Sequence, residues 1–143
     1  MLSGPRVVVI GGSLGGLLAA NMLWRAGCDV TVHERIGEAL SGRGVGIAAH
    51  AEMLEAFKRA GVDVNQAIGI AVEDRVVLAR DGSVVARHNV RQVMCSWSSL
   101  LSHLRAALPA ERYFAGKAFV RAESSDAGIR ACFADGTAID ADL

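Results

Sequence analysis

The residues whose types and spacing could do chemistry lie between Val7 and Arg35, in the stretch VVVIGGSLGGLLAANMLWRAGCDVTVHER. Gly11, Ser13 and Gly16 take the three positions of G-x-G-x-x-G, and Glu34 follows 23 residues past Gly11. An acid about 20 residues past such a turn meets the ribose of a bound dinucleotide. The first glycine permits a tight turn from strand into helix. The second position lets a pyrophosphate approach the backbone, and the third lets helix pack closely on strand. Phosphates then sit on free N–H groups at the helix N-terminus, where the dipole favours an anion.

Ser13 stands where the fingerprint has its second glycine. Serine is a small substitute whose hydroxyl can itself donate to phosphate, and Gly12 or Gly15 keeps the turn flexible. Glu34 can accept from both ribose hydroxyls of an adenosine. Its charge would repel a 2′-phosphate, which argues against NADP as the ligand of this turn.

Such a turn binds a dinucleotide only if a strand precedes it, a helix follows, and the acid ends the next strand. Val7–Ile10 is a continuous β-branched run suited to a parallel strand covered on both faces. Gly15 to Ala26 reads as a helix, apolar almost all round and so buried on most sides, with Gly27 ending it. Val30, Val32 and Glu34 alternate as the second strand. This is a βαβ unit, right-handed by default. The competing reading is a structural βαβ unit with an incidental glycine turn.

Beyond it, Arg35 to Gly46 reads as loop and His50 to Ala60 as a surface helix, with Met53, Leu54, Phe57 and Ala60 on one face. Glu55 there can pair with Lys58 or Arg59. Val72 to Val90 carries Asp81-Gly82 between two β-rich segments, a hairpin signal. Ser98 to Leu108 reads as a third helix, and Tyr113 to Glu123 as extended. Ile129–Phe133 and Thr137–Leu143 flank Asp135-Gly136 as a second hairpin.

The fold class is therefore α/β, with no internal boundary across residues 1–143. Ile139, Ala141 and Leu143 still alternate where the sequence stops, which reads as part of a longer protein. An unfinished strand leaves sheet edge and apolar surface uncovered and favours self-association.

The chain is 52% apolar, and its 15 basic and 15 acidic residues balance, so no bulk field marks it for nucleic acid or an anionic membrane. No run approaches 18 apolar residues, and the start lacks a signal-peptide pattern, so a cytoplasmic location is expected. Cys28, Cys95 and Cys132 lack metal or disulfide spacing and read as buried free thiols, and no histidine has ligand spacing. No metal is expected.

Ala20, Leu23, Gly27, Val30, Val32 and Glu34 fall in register after Gly16, Arg35 follows, and GRGVGI comes at residues 42–47. Together these resemble the class A FAD-dependent aromatic hydroxylases, the p-hydroxybenzoate hydroxylase superfamily. GGSLGGL, LSGRGVGI and the SW before the third helix are most similar to the 2,6-dihydroxypyridine 3-monooxygenase type. The resemblance runs over essentially the whole chain.

It implies a Rossmann-like FAD-binding fold, a βαβ unit with a helix and β-hairpin insertions, incomplete at the C-terminus. It also implies that Gly11, Ser13, Leu14, Gly15 and Gly16 surround the FAD pyrophosphate and Glu34 the ribose. Arg35 would lie along the adenine, Val120 would touch adenine through its backbone, and the loop holding Arg43, Gly46 and Ile47 would approach the flavin. Trp97 replaces a family arginine, as stacking residue or core. Full-length relatives reduce FAD with NAD(P)H and use O₂ to hydroxylate a small aromatic substrate. No catalytic acid or base can be named. A reductase using this turn for NAD or FAD, or a non-catalytic dinucleotide-binding module, are the competing readings.

Overall fold

A computed structural model describes residues 4–37, 46–63, 68–125 and 128–143. The chain opens with β1 (Arg6–Ile10), α1 (Leu14–Arg25) and β2 (Asp29–Glu34). β1 and β2 pair in parallel, Val7 beside Val30 and Val9 beside Val32, as the apolar runs demand. Val7, Val30 and Val32 turn to one face of this sheet, where they are buried with Leu17 and Ala20 of α1.

Next come β3 (Gly46–Ala49), α2 (Ala51–Arg59), β4 (Gly69–Leu78) and β5 (Val84–Ser96). The antiparallel pairing of β4 with β5 is the expected hairpin, longer than its β-rich segments suggested, and β3 adds to the far side of β5. β3 begins at Gly46, where the sequence read only loop. On α2 the expected Glu55–Arg59 pair forms at 3.2 Å, and Phe57 and Ala60 are buried. His50 holds the N-cap position without a capping bond and faces Glu52 in solvent.

α3 (Trp97–Ala107) starts on a cap the sequence reading did not single out: the Ser96 hydroxyl accepts the Ser99 N–H at 3.0 Å. Leu100 and Leu104 of α3, with Leu108 just beyond it, join the core against α1. Asn21 overturns the expectation of an α1 apolar almost all round. It is buried, and its Nδ2 donates to Leu17 O at 2.8 Å and to Leu104 O at 2.9 Å, fastening α1 to α3. Burial is also less complete than expected: Met22 is 38% exposed and Trp24 half-buried, because α3 covers only one side of α1.

The stretch expected to be extended from Tyr113 to Glu123 is two strands, β6 (Tyr113–Ala115) and β7 (Phe119–Ser125). Gly116, at φ +74°, turns the chain between them. β6 pairs in parallel with β2, giving the order β1-β2-β6. β7, β8 (Gly128–Phe133) and β9 (Ala138–Ala141) form an antiparallel meander. Its Asp135-Gly136 turn is tightened by Thr137, whose N–H and hydroxyl both donate to Asp135 Oδ1. Lys117 adds an ion pair to Asp135, and together they hold that carboxyl well below the usual range.

The C-terminal residues correct a second expectation. Thr137–Leu143 is not one strand: β9 ends at Ala141, and Asp142 and Leu143 cross to the free edge of β1. Leu143 N–H donates to Arg6 O at 3.2 Å, and Val8 N–H donates to Leu143 O at 2.9 Å. One residue bonding to two residues spaced two apart is the parallel ladder pattern. The chain therefore leaves the meander after Ala141, and Leu143 lies along the parallel sheet beside β1. Among the cysteines only Cys95 is buried as expected, and Cys28 and Cys132 are half-buried thiols.

Candidate functional site

The glycine turn joins β1 to α1. Gly11, at φ +102°, makes the reversal a side chain would resist, and its N–H donates to His33 O of β2 at 2.9 Å. Gly16 sits where helix meets turn: a Cβ there would fall 1.8 Å from Gly11 O. The third fingerprint position therefore needs glycine for close approach, as its spacing predicts. A Cβ on Gly15 would meet nothing within 4 Å, so the turn is open on that side.

Ser13 caps α1 in extended conformation, is exposed, and its hydroxyl makes no capping bond. The first turn of α1 holds no acid. The leading amides of a helix have no intrahelical acceptor. Exposed turn, free hydroxyl, amides and the positive end of the dipole make a cradle for an anion. A pyrophosphate fits it.

Glu34 ends β2 and is only 8% exposed. Its Oε2 accepts the Gly12 N–H at 2.7 Å and its Oε1 the Ile36 N–H at 2.9 Å. It therefore braces the turn from within, a role its spacing did not reveal. Each carboxylate oxygen has a further lone pair for a ribose hydroxyl. Arg35 follows, exposed.

Val120 is 55% exposed in β7, at a bulge. Phe119 pairs with Phe133 and Arg121 with Cys132, so Val120 has no partner across the ladder. A bulged residue is released from strand pairing and can turn its backbone toward a ligand. Gly46 and Ile47 open β3 opposite Ser96 and Cys95, in a sheet separate from the turn. Arg43 lies outside the described residues. Trp97, the first residue of α3, is half-buried.

The sequence reading missed a group beneath the turn. Tyr113 of β6 carries its hydroxyl up against Gly12, and the Arg105 guanidinium lies over its ring, 4.4 Å from the centroid. Burial raises the Tyr113 pKa, Glu34 adds to the shift, and Arg105 opposes it. A cavity of about 830 Å³ opens alongside, walled by Gly12, Gly37, Leu17, Trp24, Arg105 and Tyr113 among others. On the other face of the sheet, His33 is buried between Phe114 and Phe133, with ring centroids at 4.9 and 4.8 Å. Its Nε2 meets Thr31 Oγ1 at 3.1 Å, and its Nδ1 finds no partner among the described residues. Burial, and then Lys117, lower its pKa. Among the described residues no cluster of His, Cys, Asp or Glu could hold a metal ion.

Residues 5–104 match the model of a family described as FAD binding domain. The chain belongs to that family. The FAD-binding domain is 33% identical over 140 residues to 2,6-dihydroxypyridine 3-monooxygenase of Paenarthrobacter nicotinovorans, covering 95% of this chain and 34% of that protein. It superimposes on the structure of 2,6-dihydroxypyridine-3-hydroxylase from Arthrobacter nicotinovorans with a TM-score of 0.85 and 31% identity, over 99% of this chain and 36% of that one. The fold also matches Klebsiella pneumoniae HpxO, solved with FAD and uric acid, at a TM-score of 0.86 and 21% identity, over 100% of this chain and 39% of that one. The chain thus spans about a third of the length of these relatives. The glycine turn and Glu34 lie within the matched residues, whereas Tyr113 and Val120 lie beyond them. Among the described residues no helix is long and apolar enough to cross a membrane.

Proposed function

We propose that this chain is the N-terminal FAD-binding segment of a flavin-dependent monooxygenase that hydroxylates an aromatic or N-heteroaromatic substrate with NAD(P)H and O₂. The observation that carries the reading is the turn itself: Gly16 packed on Gly11, an open anion cradle at Ser13–Gly16, and a buried carboxylate at the end of β2. The 33% identity to a dihydroxypyridine monooxygenase supports the substrate class.

On this reading the amides of Leu14, Gly15 and Gly16 and the Ser13 hydroxyl hold the pyrophosphate, and Gly11 gives the turn its shape. Glu34 accepts from the ribose, Arg35 lies along the adenine, and the bulged Val120 meets the adenine edge. Arg43, and Gly46 and Ile47 at the start of β3, address the flavin end. When bound, FAD supplies the redox chemistry that activates oxygen; the protein's part is to place it, shield it and admit the substrate.

The test is to add FAD to residues 1–143 and follow flavin quenching, then NAD(P)H oxidation with hydroxypyridines. The described contacts address the ADP half of the cofactor. Weak, saturable FAD binding without turnover is therefore expected from this chain, and substrate-stimulated NAD(P)H consumption from a longer protein that includes it. No FAD binding in either would overturn the reading.

A further inference from the structure

Gly12 is not a fingerprint position, and it is not among the glycines with positive φ, so its backbone conformation is open to any residue. Space forbids one. A Cβ on Gly12 would fall 2.3 Å from the Tyr113 hydroxyl oxygen, 2.6 Å from Cε2 and 2.7 Å from Cζ. Neither partner can withdraw easily. Gly12 is tied by its N–H bond to Glu34 Oε2. Tyr113 is paired with Val32 in the sheet, and Arg105 covers its ring, itself donating to Leu108 O and Ala110 O at 3.3 Å.

We infer that Tyr113 is a positioning residue for the cofactor site: its ring sets how deeply the glycine turn sits, and Gly12 must be glycine because Tyr113 is beneath it. The inference rests on the reading of this turn as the pyrophosphate site. Ser13 and the first amides of α1 follow Gly12 directly, so a change in its height moves the cradle. Glu34 and Tyr113 act as two stops, one holding the N–H and the other limiting approach to the Cα. Arg105 keeps the lower stop rigid.

A double-mutant cycle tests this in the full chain, reading both melting temperature without FAD and FAD affinity by flavin quenching. Gly12→Ala alone overpacks the contact, and affinity is expected to fall about ten- to hundredfold with a lower melting temperature. Tyr113→Phe keeps the ring carbons that the new methyl strikes, so Gly12→Ala with Tyr113→Phe stays weak. Tyr113→Val removes them and suits a strand. Gly12→Ala with Tyr113→Val should recover to within about threefold of Tyr113→Val alone, a non-additivity that two independent structural losses would not produce.

Additive losses in both readouts would overturn the pairing. Recovery of melting temperature without recovery of affinity would keep the contact and overturn its effect on the cofactor. Absence of FAD uptake both by a cooperatively melting wild-type chain and by a longer protein that includes it would overturn the cofactor reading itself, and the melting cycle would still decide the contact.

Discussion

The Glu34 carboxylate joins the two segments on either side of it, its Oε2 accepting the Gly12 N–H at 2.7 Å and its Oε1 the Ile36 N–H at 2.9 Å. Hydrogen bonds to a charged group are worth about 1.5–3 kcal/mol, and removing one partner leaves a buried donor unsatisfied. Glu34→Ala should therefore lower FAD affinity about ten- to hundredfold and also lower the melting temperature without FAD. Flavin fluorescence and thermal denaturation read the two effects separately. Unchanged affinity would remove Glu34 from the site.

Gly16→Val places three carbons where a first one already falls 1.8 Å from Gly11 O. The helix cannot stay seated on the turn. Expected is apoprotein or no soluble protein, checked by absorbance of the purified variant at flavin wavelengths after reconstitution. A fully loaded yellow variant would show that phosphates are held elsewhere.

Asn21 links α1 to α3 by donating to Leu17 O and Leu104 O. Asn21→Leu leaves the link broken and a larger apolar group between the helices, for an expected loss of about 1–3 kcal/mol by urea denaturation. Stability equal to wild type would mean that packing alone holds the pair.

His33 should make stability depend on pH. Burial between Phe114 and Phe133, with Lys117 nearby, lowers its folded pKa below the ordinary 6.5. Above that value both states are neutral and His33 adds no dependence. As pH falls through it, the unfolded chain takes up a proton that the folded chain refuses, so stability drops until the folded state also titrates. Melting temperature should decline from pH 7.5 to 5.5 more steeply in the wild type than in His33→Phe, which keeps the stack and cannot titrate. Equal slopes would exclude His33 as the source.

Much of this protein is local, and local features are written in the sequence. Gly11, Gly16 and Glu34 were legible because turn conformation, close approach and the acid's spacing are all consequences of one βαβ unit. The Asp81-Gly82 and Asp135-Gly136 hairpins were legible because each turn type demands its residues within four positions. Tertiary structure decided what depends on distant partners. Alternation through Ile139, Ala141 and Leu143 says that side chains change faces, but not which strand is the neighbour, so the crossing to β1 was hidden. The Val120 bulge exists only relative to β8, and the bond from Asn21 to Leu104 O exists only once α3 packs on α1. Tyr113 carries no local sign of its role, because sheet pairing with β2 is what brings its ring under Gly12. Periodicity encodes a face, and only the folded chain supplies the surface that face meets.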